Sequence, residues 1–443
     1  MPDSFPAANR LAIKESAPPA YLVPSTEKSH LIFPMSTPLS SEALHLNLKL
    51  GLRQRHVQQL SQIGDDYKFQ EDLDPDKKVT VEDLMRWTTH VQKEFDAAIA
   101  QKVFGKKGII DWRNALFTLL ESTAMYLRDD AAVQSAINAA KAGNTDQAME
   151  YLREADDDIN KIAEFWGLEY MTICDLIEKT PDGQRDIVGP FCGAFSAKNP
   201  RDPFLGIAFK GTSATSEWGT DLAREPQATG DSFILWGADV SRGVFNALFG
   251  TFGDYGIPMD HILVYIQQYM NQLPTGSSEL VVHSTGHSLG ASFTTLCYAQ
   301  LLQYQQTKPL EWVLGDLFTF GSPRIGENSF ALNFRAAVEK AAGSSWRIVD
   351  EDDSVTSLPP APAKLVLGIF PAVDDPRIYV HVDSAYRTSR SEPPSAISSE
   401  VGMDPGPAPK TVEELTEKEH MQDHSPAWYY ESLLKANGLG PLQ

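Results

Sequence analysis

Apolar positions follow two different spacings along the chain, and the change falls near Pro190. Upstream, from residue 41 to about 178, apolar residues recur every three or four positions, as expected for helices. Within a helical pattern predicted over 145–177, this spacing includes Ile159, Ile162, Trp166 and Tyr170. Downstream, short apolar runs alternate with helical patterns. This alternation predicts an α/β fold, with a mostly parallel central sheet and flanking helices, preceded by a mainly helical N-terminal region.

The ends of several elements carry recognisable signals. Thr80 with Asp83 forms a capping-box pattern at the start of a helix, and Thr411 with Glu414 predicts another. Ser425 and Pro426 predict the first residues of the last helix, which should end at Gly438. Downstream strands are predicted at 191–197, 204–209, 280–283, 316–320 and 346–350, and helices at 291–304 and 329–342.

The chain has 443 residues, which suggests more than one minimal domain. We predict an arm over 1–40, a mainly helical region over 41–185 and a catalytic domain over 186–443, with a Pro- and Ser-rich loop at 389–410. A net charge of −21 argues against nucleic acid and against electrostatic docking to anionic lipid.

The three cysteines, Cys174, Cys192 and Cys297, are widely spaced and predict neither a disulfide framework nor a metal site. The first 29 residues contain Lys14, Glu15 and several prolines, which does not fit a secretory leader. No apolar stretch is long enough to span a membrane. We therefore expect an intracellular, soluble protein.

The first candidate for chemistry is Ser288, at the centre of a G-x-S-x-G sequence over 286–290. An apolar run precedes this sequence and a helical pattern follows it. A sharp strand-to-helix turn of this kind exposes a serine hydroxyl, and its glycines keep side chains away from the tightest point. Ser288 is therefore the predicted nucleophile.

A serine nucleophile requires a base and an acid that orients it, and in this class of fold both follow the serine along the chain. The acid candidates cluster after a predicted strand and are Asp350, Glu351, Asp352 and Asp353. The downstream histidines are His381, His420 and His424. His424 lies in a loop just before a helix, a favourable place for a catalytic residue, whereas His381 lies in an alternating pattern typical of a structural residue. His287, inside the G-x-S-x-G sequence, is predicted to be packed or hydrogen-bonded.

An oxyanion hole should combine the backbone N–H of Leu289 with a donor from the loop after an early strand, where Thr212 offers both an N–H and a hydroxyl. Residues 213–238 contain Trp218, Phe233 and Trp236 among polar residues. This composition fits either an amphipathic lid over an apolar groove or a fixed surface loop.

Taken together, several ordered motifs make the chain, over about 186–436, resemble the class 3 lipases, the fungal triacylglycerol lipase family. The matching segments are 209–212 with Trp218 and 221–222, then 240–244, 286–290, 318–326, 353–360 and 423–430. The resemblance places the oxyanion residue at Thr212, the triad acid at Asp353 and the triad base at His424. Thr356 stands where the family has a proline, and Lys210 stands where it usually has arginine.

The resemblance implies an α/β-hydrolase-like fold and hydrolysis of esters with apolar acyl chains, with acylglycerols as the expected substrates. No cofactor or metal is expected. The expected partners are the lipid or other apolar ester and, transiently, a lipid interface; the sequence indicates no oligomeric state. Two alternatives stay open: an esterase or acyltransferase for other esters, and an inactive lipid-binding or scaffolding protein on the same fold.

Overall fold

The sheet begins in the N-terminal region and continues through the downstream half of the chain. The computed structural model describes residues 41–61, 79–179, 186–211, 226–252, 255–351, 353–357, 379–382, 385–397 and 423–442. The predicted arm over 1–40 and the helix predicted at Thr411 lie outside these residues.

Eight strands of the described residues form one sheet, and two more form a separate pair. The sheet strands are β1 (Leu168–Lys179), β2 (Asp186–Ala197), β3 (Phe204–Phe209), β6 (Val281–His287), β7 (Val313–Phe320), β8 (Ser345–Asp350), β9 (Ala385–Thr388) and β10 (Ser395–Ile397). The separate pair consists of β4 (Pro226–Ala228) and β5 (Asp239–Ser241).

The order of strands in the sheet is β1-β2-β3-β6-β7-β8-β9-β10. Strands β3, β6, β7, β8 and β9 are parallel neighbours, whereas β1, β2 and β3, and also β9 and β10, pair antiparallel. The predicted α/β fold with a mostly parallel sheet is confirmed.

Helices precede the sheet and also connect its strands. The N-terminal helices are α1 (Ser41–Leu60), α2 (Val81–His90), α3 (Gln92–Ala100), α4 (Trp112–Ala124), α5 (Asp130–Lys141), α6 (Thr145–Ala155) and α7 (Asp157–Phe165). The later helices are α8 (Arg242–Phe249), α9 (Pro258–Asn271), α10 (Leu289–Thr307), α11 (Asn328–Lys340) and α12 (Pro426–Ala436). The predicted mainly helical N-terminal region is therefore present.

The sheet has an apolar core on each face, because successive residues of a strand point to opposite sides. In β3, Leu205 and Ile207 join the core beneath α8, α9, α10 and α11. Phe204 and Ala208 join the core that also contains residues of α2, α3, α4, α7 and α12. Helices α2, α3, α4, α7 and α12 thus cover one face, and the helices between β5 and β8, together with Leu52 of α1, cover the other.

Two predicted elements differ from the structure. The helical pattern over 145–177 ends at Gly167, whose φ of +71° ends α7, and the chain then continues as β1. The spacing of Trp166, Tyr170 and Ile173 fits a helix, but in the structure Tyr170 and Ile173 lie on opposite faces of a strand. Residues 395–397, predicted as part of a loop, form the edge strand β10.

Several predicted ends are confirmed. Thr80 and Asp83 form a reciprocal capping box at α2. The Ser425 hydroxyl accepts a hydrogen bond from the backbone N–H of Ala427 at the start of α12. Gly438 ends the same helix with a φ of +69°. The three cysteines are buried and free.

Candidate active site

Ser288 lies at the turn between β6 and α10, at the carboxyl ends of the parallel strands. Its φ of 69° and ψ of −135° are a strained conformation for a residue with a side chain, and such strain is typical of functional turns. The Ser288 N–H donates to the carbonyl oxygen of Phe320 on β7 over 2.8 Å. Its hydroxyl is buried and neither donates a hydrogen bond to the described residues nor accepts one from them. The hydroxyl is therefore held in place by the backbone alone.

The two glycines beside Ser288 are required by close packing. A Cβ on Gly286 would lie 2.8 Å from the backbone nitrogen of Ala291, and a Cβ on Gly290 would lie 2.8 Å from the carbonyl carbon of Lys210. Both distances are far shorter than ordinary contacts, and the neighbours are backbone atoms that cannot rotate away. Close packing is thus the steric reason for glycine at both positions.

Asp353 and His424 meet at the same edge of the sheet. His424 Nδ1 lies 2.9 Å from Asp353 Oδ2, and both side chains are buried. Asp353 also accepts hydrogen bonds from the Tyr429 hydroxyl at Oδ2 over 2.6 Å and from the Val355 N–H at Oδ1 over 2.9 Å. The Asp353 carboxylate is thus fixed on three sides, and it orients the imidazole so that Nε2 can act as the base.

The local chain around Asp353 is held by hydrogen bonds of its own. The Thr356 hydroxyl, which stands where the family has proline, donates to the Asp353 carbonyl oxygen over 2.8 Å. His381 Nε2 donates to the Thr356 carbonyl oxygen over 2.9 Å, so His381 has a structural contact at this turn. Asp352 and His420 lie outside the described residues. Of the described candidates, the structure brings Asp353 together with His424.

Gly321 connects this pair to the Ser288 turn. It follows Phe320, the acceptor of the Ser288 N–H, and its φ is +59°. A Cβ at this position would lie 2.7 Å from His424 Cε1 and 2.8 Å from Asp353 Oδ2. The Ser288 turn and the Asp353–His424 pair therefore lie on either side of one short backbone segment.

Replacing Gly321 with alanine should displace the Asp353–His424 pair. We expect ester hydrolysis to fall by roughly tenfold or more, because a shift of about 1 Å in a catalytic group is enough for such losses. The left-handed backbone should also lower the free energy of unfolding by roughly 1–2 kcal/mol. Rates and urea denaturation would be measured on the same preparation.

The control is Gly167→Ala, since Gly167 has a φ of +71° and a Cβ there meets no described atom within 4 Å. The control should show the stability loss without the loss of rate. Equal rates in the two variants would contradict a clash with His424 and Asp353.

The predicted oxyanion donors are only partly within the described residues. Leu289 follows Ser288 directly and is the first residue of α10. Its N–H therefore has no acceptor within the helix and is available to a ligand. Strand β3 ends at Phe209, and Gly211 lies close to Ser288, since a Cβ on Gly211 would be 2.7 Å from Ser288 Cβ. Thr212 itself lies outside the described residues.

The predicted lid residues within the described part of the chain lie away from Ser288. The backbone carbonyl of Phe233 accepts from Gln300 Nε2 over 3.0 Å, and Trp236 Nε1 donates to Gln306 Oε1 over 3.1 Å. At about 1.5 Å per helical residue, these glutamines lie roughly 18 and 27 Å along α10 from Ser288. Phe233 and Trp236 are thus outside the site built around Ser288, and Trp218 lies outside the described residues.

Asp350, another acid candidate, is fully buried at the end of β8. Burial raises the pKa of its carboxyl to about 8, and the nearby Glu351 and Asp353 charges add to the increase. Asp350 is therefore mostly protonated at pH 7 and adds little negative charge beside Asp353.

Asp350 should make the fold less stable as the pH rises. The folded pKa lies above the ordinary value of 3.8, so the folded state holds a proton that the unfolded state releases. The stability of the wild type should fall between about pH 4 and about pH 8 on account of this group. Asp350→Asn should therefore gain up to about 5 kcal/mol over the wild type at pH 8 and little at pH 4, since each unit between the folded and unfolded pKa is worth about 1.4 kcal/mol. Urea denaturation at both pH values measures this difference.

Glu351→Gln serves as the control with the opposite sign. Burial acts to raise the pKa of Glu351, but hydrogen bonds from the Arg390 N–H and the Ser389 hydroxyl outweigh it and hold the pKa below its usual value. This variant should be less stable than the wild type at pH 8. A gain for Asp350→Asn that is the same at pH 4 and pH 8 would show that packing, not ionisation, causes it.

Two tyrosines that were not among the predicted site residues contact the site. Tyr429 belongs to the aromatic cluster after His424, and its hydroxyl reaches Asp353. Tyr126 lies in a short 3-10 helix after α4 and contacts His287 across 161 positions of the chain. The cluster at 428–430 was a signal for the first, whereas no local pattern marks the second.

The described residues include no helix that is both long and apolar enough to cross a membrane. They also include no group of three or more potential metal ligands.

Comparison with known proteins shows that part of the chain is similar to lipases. Residues 206–363 match the model of the lipase (class 3) family. The chain is 26% identical over 256 residues to phospholipase A(1) DAD1, chloroplastic, of Arabidopsis thaliana, covering 52% of this chain and 50% of that protein. It is 40% identical over 76 residues to secreted mono- and diacylglycerol lipase 1 of Fusarium solani, covering 17% of this chain and 20% of that protein.

A solved structure of lipase II from Rhizopus niveus aligns at 16% identity and a TM-score of 0.35, covering 64% of this chain and 85% of that chain. The chain spans half the length of the phospholipase and a fifth of the diacylglycerol lipase. The family match spans β3, the Ser288 turn and Asp353, all of which lie within or overlap 206–363. Over these residues, about a third of the chain, the sequence matches the class 3 lipase family.

Proposed function

We propose that the protein hydrolyses carboxylic esters with apolar acyl chains, through a triad of Ser288, Asp353 and His424. The observation that carries this proposal is the Asp353–His424 hydrogen bond beside the strained Ser288 turn. Buried serine, imidazole and carboxylate groups at the carboxyl ends of parallel strands are the parts that acyl transfer requires.

In the proposed first half-reaction, His424 Nε2 takes the proton of the Ser288 hydroxyl as Oγ attacks the ester carbonyl carbon. The negative charge that forms on the carbonyl oxygen is stabilised by the Leu289 N–H and by Thr212. Asp353 stabilises the resulting imidazolium. His424 then gives the proton to the alcohol oxygen as the C–O bond breaks, which leaves an acyl group on Ser288.

In the second half-reaction, His424 takes a proton from water as the water oxygen attacks the acyl carbon. The same donors stabilise the second oxyanion, and the proton returns to Ser288 as the acid is released. All of these steps use side chains and backbone of the chain itself.

The names of the relatives support a lipid substrate, because one is a phospholipase A(1) and another is a mono- and diacylglycerol lipase. We therefore propose an acylglycerol or a glycerophospholipid ester as the natural substrate, taken from a lipid interface. The intracellular location predicted from the sequence stays a prediction, since these relatives include a chloroplastic and a secreted protein.

The test is hydrolysis of p-nitrophenyl esters from short to long acyl chains, together with emulsified diacylglycerol and phosphatidylcholine. A lipase should prefer medium or long chains and should be faster on substrate presented as an emulsion. Preference for the shortest ester, with no activity on either emulsion, would indicate a soluble-ester esterase. No turnover of any ester by the folded protein would contradict the proposal.

A further inference from the structure

His287, which immediately precedes Ser288, is a buried imidazole that the proposed reaction does not use. It is 2% exposed. Burial, together with the neighbouring His424, holds its pKa well below the ordinary value. His287 is therefore neutral, with one ring nitrogen carrying a hydrogen and the other free to accept a hydrogen bond.

The partners of His287 determine which nitrogen carries the hydrogen. Nε2 lies 2.8 Å from the carbonyl oxygen of His424, which can only accept, so Nε2 carries the hydrogen. Nδ1 must then accept, and the hydroxyl of Tyr126 lies 2.9 Å away and donates to it. The hydrogen bonds thus run in one direction, from Tyr126 through His287 to the main chain of His424.

His287 also supports the His424 ring. The centroids of the two imidazole rings are 4.6 Å apart. The ring of Tyr429, whose hydroxyl holds Asp353, meets the His287 ring edge-on at 5.7 Å. The carbonyl group and the ring of His424 thus both contact His287, immediately before α12 begins.

The segment that carries Tyr126 is itself fixed to the sheet. Arg128 forms a buried ion pair with Asp175 on β1. Its guanidinium carbon lies 4.2 Å from the centroid of the Phe191 ring on β2. Further along, Asp130 lies 3.5 Å from Lys210, at the end of β3. The turn between α4 and α5, which carries Tyr126, is therefore bound to β1, β2 and the end of β3.

We propose that Tyr126 is a positioning residue for the catalytic base: its hydroxyl sets the tautomer of His287, and His287 holds the His424 backbone and ring in place for Ser288. In this way the N-terminal helical region is part of the catalytic apparatus. The inference rests on the proposed function for its effect on turnover, but the hydrogen-bond relay can be tested without turnover.

Tyr126→Phe removes the hydroxyl and keeps the ring. We expect kcat to fall by roughly ten- to hundredfold, because His424 is displaced, while KM changes by less than about twofold. The matched control is Tyr430→Phe. The buried Tyr430 hydroxyl also donates to a backbone carbonyl, that of Trp87 over 2.8 Å, but it joins α12 to α2 away from Ser288. This control should lose similar stability and keep its kcat.

A double-mutant cycle with His287→Asn separates a relay from two independent effects. If Tyr126 acts through His287, Tyr126→Phe should have little further effect on kcat once His287 has been replaced. Thermal unfolding of each variant identifies any loss of rate that comes from loss of fold.

The ¹⁵N shifts of the histidines provide the readout that does not depend on turnover. The wild type should show His287 with its hydrogen on Nε2, and Tyr126→Phe should show a mixture of tautomers and a shifted His424 Nδ1–H resonance. An unchanged tautomer and unchanged His424 resonance in a folded Tyr126→Phe protein would overturn the inference. An inactive wild type with the expected tautomer change would overturn the proposed function and leave the relay standing.

Discussion

Replacing Ser288 with alanine is expected to lower ester hydrolysis by about a thousandfold or more. The reason is that the proposed reaction forms its covalent intermediate on Ser288 Oγ, and no bound water can reproduce the position that the strained turn gives to this oxygen. Because the hydroxyl makes no hydrogen bond to the described residues, its removal should leave the free energy of unfolding nearly unchanged. Initial rates and urea denaturation measure both effects.

Ser292→Ala is the matched control. Ser292 lies one turn further along α10, is equally buried, and its hydroxyl also makes no hydrogen bond to the described residues. This variant should hydrolyse esters within about twofold of the wild type. A Ser288→Ala protein that keeps a tenth of the wild-type rate would show that another group is the nucleophile.

Replacing Asp353 with asparagine is expected to lower kcat by about ten-thousandfold. Three donors point at the Asp353 carboxylate: His424 Nδ1, the Tyr429 hydroxyl and the Val355 N–H. An amide has one oxygen and one NH₂ group, so it must turn a donor towards either Val355 or His424. The imidazole would then lose its orientation, its tautomer or the charge that stabilises the imidazolium.

The control for loss of a buried carboxylate is Asp316→Asn. Asp316 is buried and accepts backbone hydrogen bonds from Ser344 over 2.7 Å and from Gly105 over 3.2 Å, but it contacts no member of the proposed triad in the described structure. It should lose stability and keep most of its rate per folded molecule. If Asp353→Asn behaved like this control, Asp353 would be a structural residue only.

Much of the site could be predicted because its parts leave local patterns. The glycines around Ser288 are required by close contacts with backbone, and a Cβ on either would collide with it. The start of α12 at Ser425 and Pro426 follows from capping chemistry alone. Choosing Asp353 among neighbouring acids needed the resemblance to a family, because spacing does not distinguish carboxylates that a turn will point in different directions.

The errors have a physical cause as well. Tyr170 and Ile173 fit a helical spacing, but β1 is stabilised by pairing with β2, a partner that the local pattern does not reveal. Gly167 was the available signal, since a glycine after a helical pattern commonly ends the helix. Phe233 and Trp236 fit an amphipathic cover by composition, and their role in a lid stays a prediction; in the structure, glutamines of α10 form hydrogen bonds with this segment.

The Tyr126–His287–His424 contacts could not be predicted from the sequence. They join positions separated by 161 and 137 residues, and each depends on which ring nitrogen of His287 faces the partner. Only the packing of α4 and α12 on the same face of the sheet brings these residues together.

The central claim is that Ser288 is activated by His424 and Asp353, and labelling with a serine-reactive phosphonate ester tests it most directly. We expect one adduct per chain, found by peptide mass spectrometry on Ser288, and loss of ester hydrolysis in proportion to labelling. Labelling should be absent in Ser288→Ala and strongly slowed in Asp353→Asn. A folded wild type that forms no adduct, or that forms it on another residue, would contradict this claim.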